Sequence, residues 1–159
     1  MNDQQFGFRR YRNTNDAVIQ LTSDKYDGLE KPKLVYGIFF DFSKAFDSVD
    51  HLLLLKKCQE EFNLPTDLLR ILCSYLTEWT ATIKVNTTLS GPIPLTVGVL
   101  QGSIGGPILY LLFINSLIPS ITLTSKTYLY ADDLACVVSG DNEAELLHNV
   151  KAVSAQVND

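Results

Sequence analysis

Apolar and polar positions along this chain switch between a helical and a two-residue period, and the switches mark its elements. After a polar opening, Ala17, Val18 and Leu21 fall on one face at helical spacing. Asn13 or Asn15 can cap a helix that runs from there to about Leu29. Lys31-Pro32-Lys33 breaks it. Leu34 to Phe40 is a short continuous apolar run rich in β-formers and reads as a buried central strand. Asp50 caps a helix from His51 to about Phe62, Asn63 to Pro65 ends it, and Thr66 or Asp67 starts another through about Trp79, whose ring is expected in the core. Thr80 to Val85 alternates as a strand does, Gly91-Pro92 turns the chain, and a second short strand follows near Leu95 to Val97. Gly98 to Gly106 is a glycine-rich loop. Pro107 suits a first helical position and opens an apolar helix to about Leu117. Thr127 to Ala131 and Leu134 to Ser139 read as strands with Asp132-Asp133 at the hairpin tip between them, before a helix from Asp141 to about Val157. Helices and strands interleave, so the class is α/β or α+β.

With 159 residues, 46% of them hydrophobic and 19% charged, the chain is long enough and apolar enough for one domain with its own core. No apolar stretch is long and clean enough to span a bilayer, since Ile104 to Ile118 is broken by Gly, Pro, Asn and Ser. Met1 to Arg12 is polar and basic without an apolar signal core, which predicts a soluble, intracellular protein. Cys58, Cys73 and Cys136 fit neither a metal-ligand spacing nor a disulfide framework, and are expected to be reduced and mostly buried. The net charge of −5 argues against nucleic acid, because phosphate contacts usually leave a basic footprint. Arg9, Arg10 and Arg12 form the one tight basic cluster.

Three aspartates pull the other way. Asp41 ends the most apolar run of the chain, and Asp132 and Asp133 lie between two apolar strands. An ionised carboxylate beside a buried sheet is costly unless something positive pairs with it, and few basic residues are near in sequence. A divalent cation is the economical partner. Oxygen ligands without a nearby His or Cys point to Mg²⁺ or Mn²⁺ rather than zinc, and three carboxylates could hold two such ions for an in-line phosphoryl displacement. Taken singly, each position has a plainer reading: Asp-Asp suits a hairpin turn, and Asp41 could cap the turn after its strand.

The order of the signals decides between these. Phe39-Phe-Asp-Phe-Ser-Lys-Ala-Phe-Asp-Ser-Val-Asp-His51 resembles the first palm motif of reverse transcriptases, in the variant of non-LTR (LINE-type) retrotransposons. Gly98 to Leu117 resembles the second palm motif and Tyr130-Ala-Asp-Asp133 the third. Gln5-Phe-Gly-Phe-Arg9, with Thr14 to Ala17 after it, resembles the segment just upstream. The resemblance covers nearly the whole chain. It implies an α+β polymerase palm core, a small antiparallel sheet backed by helices. Residues 1–33 would be the end of the fingers and a connecting helix, and 34–159 the palm with its three motifs. The fingers would be only partly present and the thumb absent, so the segment by itself is expected to extend a primer poorly.

The resemblance also implies roles. Asp41, Asp132 and Asp133 would bind two Mg²⁺ or Mn²⁺ ions, Asp133 less directly, with the Phe42 backbone carbonyl completing one metal shell. Phe46 would exclude a 2′-hydroxyl from the incoming sugar, although a core contact after the strand is the plainer alternative. Gln101 and Gly102 would line the nucleotide and template pocket, where glycine lets a backbone come close to a ligand. Lys44 would touch a triphosphate or simply be solvated. Tyr130 and Phe39 are expected in the core, and His51 and His148 on the surface. Leu100, Gly105 and Ser116 depart from the family's usual proline, aliphatic residue and aspartate, and none of them is a metal ligand. The implied reaction is RNA-directed addition of deoxynucleotides to a DNA primer 3′-hydroxyl. The partners would be an RNA template, a DNA primer and a deoxynucleoside triphosphate, in the nucleus or cytoplasm. The competing readings are another palm polymerase, a catalytically inactive remnant or binding module keeping the palm fold, and a structural role in which the aspartates only cap turns.

Overall fold

Short polar side chains next to apolar runs start the helices. The computed structural model describes residues 1–29, 33–77, 79–121 and 125–158. The elements, in chain order, are α1 (Thr14–Leu29), β1 (Leu34–Asp41), α2 (His51–Glu60), α3 (Thr66–Thr77), β2 (Thr80–Ala81), β3 (Lys84–Val85), β4 (Thr88–Leu89), β5 (Ile93–Pro94), α4 (Gly105–Ile114), α5 (Leu117–Ser120), β6 (Ser125–Tyr130), β7 (Asp133–Gly140) and α6 (Glu143–Asn158). Asn13 and Asp16 cap α1 reciprocally: the Asn13 side-chain oxygen accepts from the Asp16 N–H at 3.1 Å, and the Asp16 carboxylate accepts from the Asn13 N–H at 2.8 Å. Asp50 accepts from the Leu53 N–H at 2.8 Å, a cap that contributes about 1 kcal/mol to α2. At α6 the cap is Asn142, accepting from the Glu145 N–H at 2.9 Å, so the helix begins at Glu143, two residues after the expected Asp141. The expected breaker Lys31-Pro32-Lys33 lies, except for Lys33, outside the described residues.

The chain divides into two compact units. The first comprises residues 1–43 and 114–159 and holds an antiparallel sheet in the order β1-β7-β6. Its centre is β7, where Leu134, Cys136, Val137 and Val138 are buried. The run Leu34 to Phe40, expected to be the buried central strand, is instead an edge strand with Leu34, Tyr36 and Phe39 exposed. A continuous apolar run cannot distinguish a strand with two neighbours from one with a single neighbour. Phe39, expected in the core, is 74% exposed, whereas Tyr130 packs partly buried against the core. On the face carrying Val137 and Tyr128, α1 seats Ala17 and Leu21, and Phe6 completes the cluster. Asp24 of α1 accepts hydrogen bonds from Tyr128 and Lys126 of β6. Burial alone would raise the Asp24 pKa, but these two bonds outweigh it and hold the carboxyl below its ordinary value. Burial, reinforced by the Asp24 bond, pushes the Tyr128 phenol up. The helix α6 packs on β7 and β1, with Asn149 donating to the Ser139 carbonyl at 2.9 Å.

The second unit comprises residues 44–113: α2 and α3 packed together, two small hairpins and α4. The alternating stretch Thr80 to Val85 is not one strand. It splits into β2, which pairs with β5, and β3, which pairs with β4 through a turn at Asn86, φ +54°. The strand expected at Leu95 to Val97 lies at Ile93–Pro94 instead, and Val97 makes only an isolated bridge to Asp50. Pro94 has no N–H to donate, which suits a short edge strand. The glycine loop ends two residues early, because Ser103 accepts from the Gly106 N–H at 2.9 Å and starts α4 at Gly105. Pro107 is then the third helical residue, still within the turn whose N–H groups lack helical partners. Trp79 follows α3 but stays 38% exposed, edge to face with Tyr75 at 5.7 Å. His51, expected at the surface, is 8% exposed, because its Nε2 hydrogen-bonds the Gly98 carbonyl at 2.7 Å. His148 is exposed as expected. No described cysteine is in a disulfide, and Cys58 and Cys136 are buried while Cys73 is exposed. Burial pushes the Cys136 thiol up to about 11, which leaves it protonated and inert. No helix among the described residues is long and apolar enough to cross a membrane.

Candidate metal centre

The two-residue turn Ala131-Asp132 joins β6 to β7, since Tyr130 pairs with Asp133. Across the other side of β7, Asp133 stands directly opposite Asp41, the last residue of β1. Directly opposed residues of antiparallel neighbours project from the same face, so both carboxylates leave one face at one end of the sheet, with Asp132 next to them in the turn. Asp41 and Asp133 are exposed and Asp132 is half-exposed, contrary to the expectation that burial makes these charges costly. Their cost lies in mutual repulsion, because like charges opposite one another destabilise a strand pair. Among the described residues, no Lys or Arg forms an ion pair with any of the three.

The structure brings Asp41 and Asp133 into register and Asp132 beside them, but it does not close all three into a ready cage. Among the described residues, no group of three or more His, Cys, Asp or Glu side chains is gathered closely enough to hold a metal ion. The donor set nevertheless fits a hard divalent cation: all oxygen, carboxylate-rich, on rigid strand ends and without nitrogen or sulfur. Phe42, whose carbonyl is the further candidate ligand, directly follows Asp41 and is half-buried. Beside this end of the sheet lies a cavity of about 450 Å³ lined by Ala17, Val18, Phe39, Tyr130, Asp133 and Ala135.

The turn itself is clamped from the N-terminal segment. Phe6 donates its N–H to the Leu129 carbonyl at 2.7 Å, and Leu129 donates to the Gln4 carbonyl at 2.9 Å. The buried Gln5 side chain reaches Ala131: its Oε1 accepts from the Ala131 N–H at 3.1 Å, and its Nε2 donates to the Ala131 carbonyl at 3.4 Å. Gly7 lies so close that a Cβ there would meet the Ala131 nitrogen at 2.2 Å. Sequence reasoning gave Gln5 no role of its own. The signal present was its place at the head of the family-like segment Gln5 to Arg9.

The remaining candidates belong to the second unit. The Phe46 ring is half-buried and stacked on Tyr110, with centroids 4.4 Å apart and planes 22° from parallel. Its carbonyl accepts from the Val99 N–H at 2.8 Å, which ties the segment after β1 to the glycine loop. Gln101 is exposed, with Nε2 donating to Asp47 at 3.2 Å. Gly102 has φ +83° and open space around its missing Cβ, so its glycine serves the backbone conformation and not a close packing contact. Lys44 is exposed at φ +55°. A cavity of about 420 Å³ runs along Gln101, Asp47, His51, Tyr75 and Trp79, none of which except Gln101 was singled out as a ligand contact.

Over residues 1–159 the chain matches the family model described as "Reverse transcriptase (RNA-dependent DNA polymerase)". It is 34% identical over 150 residues to "Probable RNA-directed DNA polymerase from transposon BS" of Drosophila melanogaster, covering 89% of this chain and 16% of that protein. It is 30% identical over 151 residues to "RNA-directed DNA polymerase from mobile element jockey" of the same species, covering 95% of this chain and 16% of that protein. The chain thus spans 16% of the length of these curated relatives. In fold it is similar to a solved structure titled "Structure of apo telomerase from Candida Tropicalis truncated from C-terminal domain". The TM-score is 0.69 at 15% identity, over 98% of this chain and 32% of that one. The small antiparallel sheet with its helices is therefore a palm-like α+β fold, as the sequence motifs imply.

Proposed function

The chain belongs to the reverse transcriptase (RNA-dependent DNA polymerase) family, and from that premise we propose that it carries the metal-ligating centre for RNA-templated DNA synthesis. The observation that supports this most is the opposition of Asp41 and Asp133 across β1 and β7, with Asp132 in the adjoining turn. In this reading Asp41, Asp132 and Asp133, with the Phe42 carbonyl, hold two Mg²⁺ or Mn²⁺ ions. Bound there, the ions lower the pKa of the attacking primer 3′-hydroxyl and offset charge on the leaving pyrophosphate. The chain's own part is positional: two strand ends and the turn between β6 and β7 place the carboxylates, and bound cations would offset their repulsion. Phe46, braced by Tyr110, excludes a 2′-hydroxyl, and Gln101 and Gly102 line the nucleotide pocket. In this reading the partners are the RNA template, DNA primer and deoxynucleoside triphosphate, and the protein works in the nucleus or cytoplasm. In domain terms we read residues 1–33 as the end of the fingers with its connecting helix, and 34–159 as the palm.

The test is a chimera in which this chain replaces the matching segment of one of its Drosophila relatives. RNA-templated primer extension is expected in Mg²⁺ or Mn²⁺ and is expected to vanish with a chelator. Extension that survives chelation sinks the metal reading. The competing reading is an inactive remnant that keeps the fold. That reading predicts a folded chimera with no turnover under any metal. In an active chimera, Phe46→Val is expected to raise ribonucleotide incorporation relative to deoxynucleotide by roughly ten- to a hundredfold, measured as a ratio of kcat/KM values. An unchanged ratio would leave Phe46 as a core contact only.

A further inference from the structure

Ala131, the residue immediately before Asp132, has φ +56°. This left-handed conformation is unfavourable for a residue with a Cβ and persists only where the surroundings over-determine it. Ala131 is also buried, so its N–H and carbonyl need partners. The Gln5 side chain, in a residue 1% exposed, supplies both. The same Oε1 accepts from the Gly7 N–H at 2.8 Å, so the amide is itself held by two donors and one acceptor. These partners fix which end of the amide is oxygen. Its backbone is anchored on either side by the bonds of Gln4 and Phe6 to Leu129. A methionine has much the same length and volume without the amide, so size alone does not call for a glutamine here. The Ala131 peptide groups do.

We propose that Gln5 is a positioning residue for the metal centre: its amide locks Ala131 in the left-handed conformation and so fixes the direction in which Asp132 leaves the turn. The proposal rests on the reading of the aspartates as metal ligands and adds to it the device that holds their hairpin.

The test compares the chain with its Gln5→Met, Gln5→Glu and Ala131→Gly variants, reading amide hydrogen exchange at Ala131 and Mn²⁺ affinity by titration. Gln5→Met is expected to speed exchange at Ala131 roughly tenfold or more, to leave the amides of β7 protected, and to weaken Mn²⁺ binding by about tenfold. Glycine adopts positive φ without steric cost, so the same substitution in an Ala131→Gly background is expected to weaken Mn²⁺ binding much less. A purely structural role for Gln5 would give equal losses in both backgrounds, and equal losses would overturn the proposal. So would unchanged exchange at Ala131 in Gln5→Met. Gln5→Glu keeps the acceptor for the Ala131 N–H and is expected to retain protection there. Should Gln5→Met not fold, loss of that protection in Gln5→Glu overturns the proposal and its retention supports it. An Asp132→Asn control separates the two layers: Mn²⁺ affinity equal to that of the parent chain refutes the metal reading, while exchange at Ala131 still decides whether Gln5 clamps the turn.

Discussion

Asp132→Ala in the chimera is expected to lower nucleotide incorporation by about a thousandfold or more, with the chain still folded. Metal ions that stabilise transition-state charge contribute several kcal/mol, and each 1.36 kcal/mol is tenfold in rate. Asp132 sits half-exposed in a turn, with no Lys or Arg ion pair among the described residues, so removing its carboxylate takes little from the fold. For Asp41 the effects on stability and activity have opposite signs. Asp41→Asn removes one of two like charges that face each other across β1 and β7, so it should stabilise the sheet by a few tenths of a kcal/mol while abolishing incorporation. Thermal unfolding at neutral pH and primer extension, measured on the same preparations, check both signs. A turn-capping role for these residues predicts the reverse: lower stability and unchanged turnover. Incorporation above a tenth of the parent rate in Asp132→Ala would defeat the assignment of the centre.

Much of this arrangement was legible in the sequence because it is local. Asn13 and Asp50 announce their helices through bonds to N–H groups three residues away, and those bonds form whatever the rest of the chain does. The β6–β7 hairpin was legible for the same reason, two apolar runs separated by turn residues, but its turn is Ala131-Asp132, one residue earlier than the expected Asp132-Asp133, and Asp133 already pairs with Tyr130 inside the ladder. What could not be read depends on partners distant in the chain. Leu34 to Phe40 is apolar enough for a central strand, but the number of its neighbours is a tertiary property, and β7 took the centre. His51 reads as a helix-start surface residue until the Gly98 carbonyl, 47 positions away, claims its ring. The short strands after α3 were misplaced because two-residue pairings carry too little periodicity to set their bounds. The aspartates were found, but for a partly mistaken reason: their cost is repulsion at an exposed sheet end and not burial. Gln5 stands in the family-like segment Gln5 to Arg9, but its role was not legible because its partner Ala131 is 126 positions away.

Gly7→Ala is expected to be the most destabilising single-methyl change near this centre. A Cβ on residue 7 would stand 2.2 Å from the Ala131 nitrogen, 2.9 Å from its Cα and 3.0 Å from the Tyr130 carbonyl carbon. All three are backbone atoms, so no side chain can swing aside. Either the N-terminal segment lifts off β6, losing the Phe6 bond to Leu129 and both Gln5 bonds to Ala131, or the hairpin tip itself moves. Overpacking of this kind costs about 3 kcal/mol, which lowers Tm on the order of 10 °C for a chain of this length. Gly91→Ala is the matched control, because a Cβ there meets nothing within 4 Å; it should be neutral or slightly stabilising. Neither residue lies in a helix or a strand, so helix or strand propensity cannot account for a difference between the two variants. If the N-terminal segment is what holds the turn, Gly7→Ala also weakens Mn²⁺ binding at the aspartates, and Gly91→Ala leaves it as it was. Equal melting temperatures for the two variants would mean that the segment from Gln4 to Gly7 does not seat against Ala131 in solution, and the clamp on the hairpin would fall with it.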